Sequence, residues 1–214
     1  NCSCKFNIGG DIMSEIQANK LSPASGTALQ VGDSGDTITI PSGATITNSG
    51  TATGFGGITD ADYWYFSNNQ SISATTATVI TGHWSRQTAY GGAGGELGSG
   101  LTESSGVFSF PTTGIYYVRG WFRILRDGDS RYNNLGLQVT LDNGTYNDLS
   151  LGTGFIKQVS GGNTTAIVSV DAMIDVTNTS NVKMRFRFNT DEAITINGAA
   201  YSMSGMIAFR LGDT

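Results

Sequence analysis

The chain has 214 residues, a net charge of −5 and 30 glycines against 3 prolines. Charged residues make up only 14% of it, which argues against a long coiled coil or a disordered chain and for many short strands joined by turns. Two cations and six carboxylates lie before Arg86, and ten cations and eleven carboxylates from there on, so neither half has the basic excess of a nucleic-acid binder.

No run of about 18 apolar residues is present, so no helical membrane insertion is expected. Cys2 and Cys4 are one residue apart, and with the single histidine, His83, they cannot complete a four-ligand zinc site. Free thiols or intermolecular pairing are the expectation. Met13-Ser14-Glu15 reads like a start, which leaves residues 1–12 as an extension, an expression remnant or a processed leader. Residues 1–22 read as an N-terminal extension or attachment segment. A short helix around Ile12 to Leu21 would be stopped by Ser22 and Pro23.

Residues 23–57 read as a short β-rich stem and hinge. Thr27–Val31, Thr37–Pro41 and Ala44–Thr47 are β-rich pieces separated by polar turns. Their few apolar residues, Leu29, Val31, Ile38, Ile40 and Ile46, are too sparse for one copy to offset an ordering cost of about 1–2 kcal/mol per residue. Such rungs become stable when stacked or wound with other chains, which predicts a trimeric stem; a loosely ordered linker is the alternative. Thr51–Gly57 is the hinge.

Residues 58–214 read as the head. Asp62–Phe66 is its first strand, with aromatics on both faces. Residues 82–105 are Gly-rich and carry His83, Trp84 and Tyr90, as a wrapping loop with short strands. Pro111 ends the strand around Phe108 because it cannot donate to a ladder, and Gly114 opens the next. From there the residues sort by period two. Tyr116, Val118, Gly120, Phe122 and Ile124 suit a core, while the opposite face holds Ile115, Tyr117, Arg119, Trp121 and Arg123. Two large aromatics beside two cations are unusual for a plain solvent face. They point to a protein partner or to an exterior on which Arg stems cover the rings.

Arg126–Arg131 is a turn and Asp142-Asn143-Gly144 a hairpin signal, because Asn-Gly accepts positive φ. Leu135, Leu137, Val139 and Leu141 share one face. Ala166, Val168, Val170, Ala172, Ile174 and Val176 form another apolar face. Val182, Met184, Phe186 and Phe188 point inward against an outward Lys183, Arg185 and Arg187. The last strand is expected from about Tyr201 to Leu211. About eight head strands in regular alternation predict an all-β, two-sheet sandwich.

The stretch Gly106-Val107-Phe108-Ser109-Phe110-Pro111-Thr112-Thr113-Gly114-Ile115-Tyr116-Tyr117-Val118 resembles the central signature of the tumour-necrosis-factor (TNF) and complement-globular-head jelly rolls. The segment Ile207–Thr214 resembles the closing strand of a version found in proteins of marine bacteriophages, especially cyanophages, and Met13–Gly50 resembles the N-terminal part of such proteins. The resemblance implies a TNF-like jelly-roll head, a homotrimer and a place on the virion surface. The attachment segment would then bind other virion proteins, and the head a host surface glycan or protein. The second faces of three strands fit a trimer interface of Tyr117, Trp121, Ile167, Met173, Met206 and Ala208. Asp171 and Asp175 are discordant there and require cations such as Arg119 or Arg123, a rim position, or a different face.

No catalytic constellation is read. His83 lacks a nucleophile elbow, and Asp191 and Glu192 are adjacent on the chain, so on a strand they diverge. Asp127, Asp129 and Asp142 sit in turns that could ligate Ca²⁺. Asp-Gly turns also form for backbone reasons alone, and no full ligand set is visible, so no metal and no cofactor are expected. Loop residues Asp127, Asp129, Arg131, Trp84 and Tyr90 are the candidate receptor-facing set. The function expected is a non-enzymatic virion fibre or appendage that mediates attachment or decorates capsid or tail. A secreted bacterial binding module or extracellular filament subunit with the same head is the alternative, and a glycan-cleaving enzyme using Asp191 and Glu192 a third reading.

Overall fold

The computed structural model describes residues 20–23, 25–49, 58–87, 95–199 and 203–214. The expected N-terminal helix, Cys2, Cys4 and Tyr90 lie outside them. The chain divides into two units, Asn1–Thr53 and Gly54–Thr214. In the first, residues 20–23 and 25–49 contain no strand. The β-rich pieces expected there therefore form no ladder within one chain.

The second unit is all β among its described residues. Its strands are β1 (Ala61–Phe66), β2 (Gln70–Ile72), β3 (Thr78–Val79), β4 (Trp84–Arg86), β5 (Glu96–Leu97), β6 (Thr102–Ser104) and β7 (Val107–Ser109). They continue as β8 (Gly114–Arg126), β9 (Ser130–Thr140), β10 (Asn147–Ile156), β11 (Thr164–Val176), β12 (Lys183–Thr190), β13 (Ile194–Ile196) and β14 (Gly205–Gly212). Two antiparallel sheets result. One runs β2-β13-β8-β14-β1-β4, with β11 on the other edge of β8 and β5 beside β1; the second runs β10-β9-β12-β7-β6, with β3 on β12.

The central strand organises the first sheet. At 13 residues, β8 is long enough to pair with β11 along one edge and with β14 and then β13 along the other. Its alternation comes out as expected: Tyr116, Val118, Phe122 and Ile124 are buried in the core with Val168, Val170, Ile174 and Val176 of β11. The facing sheet contributes Leu135, Leu137, Met184, Phe186 and Phe188. Leu141 departs from its expected face, because β9 ends at Thr140 and leaves Leu141 exposed on the turn.

Two close approaches fix the spacing of the sandwich. Gly120 occupies a core-facing position on β8, where an added Cβ would lie 2.5 Å from the Phe186 ring of the other sheet. At one side the edge strands β10 and β11 nearly touch: a Cβ on Gly152 would lie 2.0 Å from the Ser169 carbonyl oxygen. The core between the sheets is aromatic. The Trp84 ring lies 5.0 Å from Phe108, 5.4 Å from Phe66 and 5.8 Å from both Phe122 and Phe186.

Trp84 is therefore not a receptor-facing loop residue. It sits on β4, 9% exposed, and its indole N–H donates to the Ile80 carbonyl. His83 lies at the core's rim, edge-on to Phe66 at 5.6 Å.

Candidate functional site

The outward face of the first sheet is built by cross-strand register. Tyr65, Gly205, Trp121 and Ser169 form one row across β1, β14, β8 and β11. Tyr63, Ile207, Arg119 and Asp171 form the next, and Ala61, Phe209, Tyr117 and Met173 the third. Tyr63 and Trp121, diagonal to one another, make a tilted ring contact with centroids 5.7 Å apart. Side chains this close on one face act as a unit.

This register corrects two expected interface residues. Met206 lies opposite Gly120 and Ala208 opposite Val118, so both face the core and both are 0% exposed. Ile207 and Phe209 take the outward positions instead. Tyr117 and Trp121 are half-buried on the outward face, and Ile167 and Met173 stand on it 68% and 62% exposed.

The charges on this face are left open. Arg119 and Asp171 are direct cross-strand neighbours, yet neither makes an ion pair among the described residues. Asp175, opposite Ile115, is exposed in the same way. Arg123 donates to the Met203 sulfur at 3.0 Å rather than to either acid.

A second apolar surface was missed in the sequence. Leu149, Leu151 and Phe155 of β10 are exposed, Phe155 by 70%, and Leu151, opposite Gly136, faces outward from the second sheet, away from β11. Their spacing in Leu149-x-Leu151-x-x-x-Phe155 was a usable period-two signal. Gly152 and Gly154, which let β10 press onto β11, broke the apolar pattern that would have announced a strand.

The acidic turns are tied to residues 157–162 by hydrogen bonds. Asp127 accepts from the Gln158 side chain and, at 3.2 Å, from the Gly162 amide. Asp129 accepts from Lys157 and, at 2.8 Å, from the Gln158 amide; the Lys157 hydrogen bond holds its carboxyl below the usual range. Arg131 is exposed, its Nε donating to Asp191 at 3.0 Å. Asp129, Arg131, Phe155 and Lys157 line a shallow depression of about 340 Å³. Asp127, Asp129 and Arg131 thus gather at one end of the head.

Asp191 and Glu192 do not converge on a substrate space. Burial works against the Asp191 charge, but the Ser130 hydroxyl, the Arg131 and Tyr132 amides and the Arg131 side chain hold its carboxyl well below the usual range. Glu192 pairs with Arg126 at 3.0 Å. The buried carboxylate Asp62 is equally committed. It accepts two bonds from Arg86, one from the Trp64 indole and one from the Leu101 amide, tying the segment before β6 to β1. Among the described residues no three His, Cys, Asp or Glu side chains are grouped as metal ligands.

No family model matches the chain, and no curated protein does. Solved structures do. The Eiger TNF of S. frugiperda is similar at a TM-score of 0.54 and 12% identity, over 72% of this chain and 93% of that one. Murine APRIL in crystals at pH 5.0 is similar at 0.51 and 10% identity, over 71% and 98%. The head is a TNF-like jelly roll. At these identities the likeness establishes the fold and nothing finer.

Proposed function

We propose that the protein is a non-enzymatic virion structural protein, a short trimeric fibre or appendage whose jelly-roll head mediates attachment at the particle surface. The observation that carries the trimer is the outward face of β1, β14, β8 and β11. It presents Tyr63, Tyr117, Trp121, Ile207, Phe209 and Met173 together with the unpaired Arg119 and Asp171. An apolar patch of this extent is a liability on a monomer. A ring of three needs two unlike patches per subunit, one for each neighbour. The chain has both: this face, and the exposed Leu149 and Leu151 of β10 on the other sheet. The virion assignment rests on the phage-like segments Met13–Gly50 and Ile207–Thr214. The committed state of Asp62, Asp191 and Glu192 supports a role without catalysis. The depression around Arg131, Phe155 and Lys157 is the surface offered to a host glycan or protein, and the N-terminal segment meets other virion proteins.

Light scattering on the full chain and on residues 58–214 tests this. Both are expected at three times the chain mass, 22.5 kDa for the full chain. A monomer for both overturns the fibre reading.

A further inference from the structure

We infer that residues 27–47 are one third of a parallel, in-register stem, in which three copies of this segment bury one apolar stripe against each other. The inference rests on the trimeric head proposed above.

The segment consists of extended limbs joined by two tight turns. The Asp36 amide donates to the Asp33 carbonyl at 3.0 Å, and the Ala44 amide to the Pro41 carbonyl at 3.1 Å. Those are the only backbone hydrogen bonds among the described residues 20–49. The limb amides and carbonyls are thus offered outward, as on a sheet edge.

Each limb alternates. Leu29 and Val31 flank Gln30; Ile38 and Ile40 are interleaved with Thr37 and Thr39; Ala44 and Ile46 with Thr45 and Thr47. Their exposure marks a stripe without a partner: Leu29 49%, Val31 60%, Ile38 61%, Ile40 46% and Ile46 57%. Proteins guard such edges with lysine, proline within the strand, or inward charge. This segment has no lysine and no inward charge on its limbs, and its one proline, Pro41, stands at the end of the second limb where the turn begins. Its only charges, Asp33 and Asp36, are spent on the first turn, where Asp36 Oδ2 accepts the Asp33 amide at 2.8 Å and Asp33 Oδ1 accepts the Gln30 side chain at 2.9 Å.

The occupant this stripe fits is another copy of itself. A charged or basic partner would find no complementary group on the limbs. An identical limb in register sets isoleucine against isoleucine, threonine against threonine, and amide against carbonyl. The head supplies the means. Eleven residues, 50–60, join the segment to β1, a tether of at most about 40 Å when fully extended. Once three heads have assembled, the stems are held at roughly millimolar effective concentration, so a pairing too weak for free peptides becomes favourable.

Hydrogen exchange on the full chain, with the mass of the same sample measured by light scattering, decides the matter. The expected result is a trimer whose amides across 37–47 exchange at least about tenfold more slowly than in an unstructured peptide of that sequence. The double substitution Ile38→Asp and Ile40→Asp should remove that protection and leave the trimeric mass unchanged. Random-coil exchange across 27–47 in a trimeric sample overturns the stem and leaves the head reading standing. Protection that survives the double substitution also overturns it, because the stripe is then not its source. A full-length trimer with protected limbs, beside a monomeric 58–214, sustains the stem and moves the assembly energy out of the head. A monomeric full chain overturns both.

Discussion

The two outward faces of the sandwich are built from the same alternation and managed in opposite ways. On the second sheet every cation of β12 but one has an interaction among the described residues. Arg187 donates from Nε to Asp148 at 2.8 Å and holds that carboxyl below its usual range, while Arg185 donates to Gln138 and stacks 3.8 Å over the Tyr146 ring. Lys183 at the strand's start is the exception. On the first sheet half-buried aromatics stand beside the exposed Ile167 and Met173, and the adjacent Arg119 and Asp171 make no ion pair among the described residues. Cations held within one chain leave less for a partner to supply. Open charges beside half-buried rings and exposed Ile167 and Met173 are what the proposed trimer would cover.

The strongest way to break this contrast is to charge the open face. Trp121→Glu or Phe209→Glu should convert the trimer to a monomer in light scattering, with the β-sheet circular dichroism retained. Arg185→Glu on the closed face should leave the mass unchanged. The next largest effect lies beneath both faces. Trp84→Ala should cost about 3–5 kcal/mol of unfolding free energy, read as a lower denaturant midpoint, because its ring contacts both sheets. A loss below about 1 kcal/mol would contradict its core placement.

Smaller effects sharpen the contrast. Arg187→Ala should cost about 1 kcal/mol in the same measurement, the scale of an ion pair at the protein surface, and should not change the mass. The smallest concerns the hairpin joining β9 to β10. The Thr140 hydroxyl and the Thr145 and Gly144 amides lower the Asp142 carboxyl to about 2. A depressed carboxylate contributes stability that is fully present above its unfolded value of about 3.9 and is lost as pH falls through the folded value. The denaturant midpoint should therefore fall between pH 5 and pH 2, and Asp142→Asn should flatten that fall.

What the sequence shows of this molecule depends on whether one strand suffices to show it. In Tyr116–Ile124 and Ala166–Val176 every second residue is apolar or glycine while the intervening positions carry the charges, so the core face is visible in the string itself. The run Met206-Ile207-Ala208-Phe209 is apolar at every position, and period two cannot say which pair points inward. The pairing of Gly205 with Trp121, far away in the chain, decides it. Trp84 fails for a related reason. A three-residue strand beside Gly82 shows no alternation, and its burial comes from four rings on distant segments. The acids Asp127 and Asp129 were correctly placed in a turn, but their donors on residues 157–162 belong to another hairpin.

One feature of the register governs how the head can be made. The last described strand, β14, lies between β8 and the first strand, β1, and pairs with both. Before β14 joins, the first sheet is two fragments with unpaired edges, whatever order the other hairpins fold in. The largest sheet of the head therefore closes through its longest-range pairing, β1 with β14, the kind of step that is slow in such a topology. Until it closes, the edges of β1 and β8 are open together, so that stage is where a folding head is most exposed to pairing with a neighbouring chain.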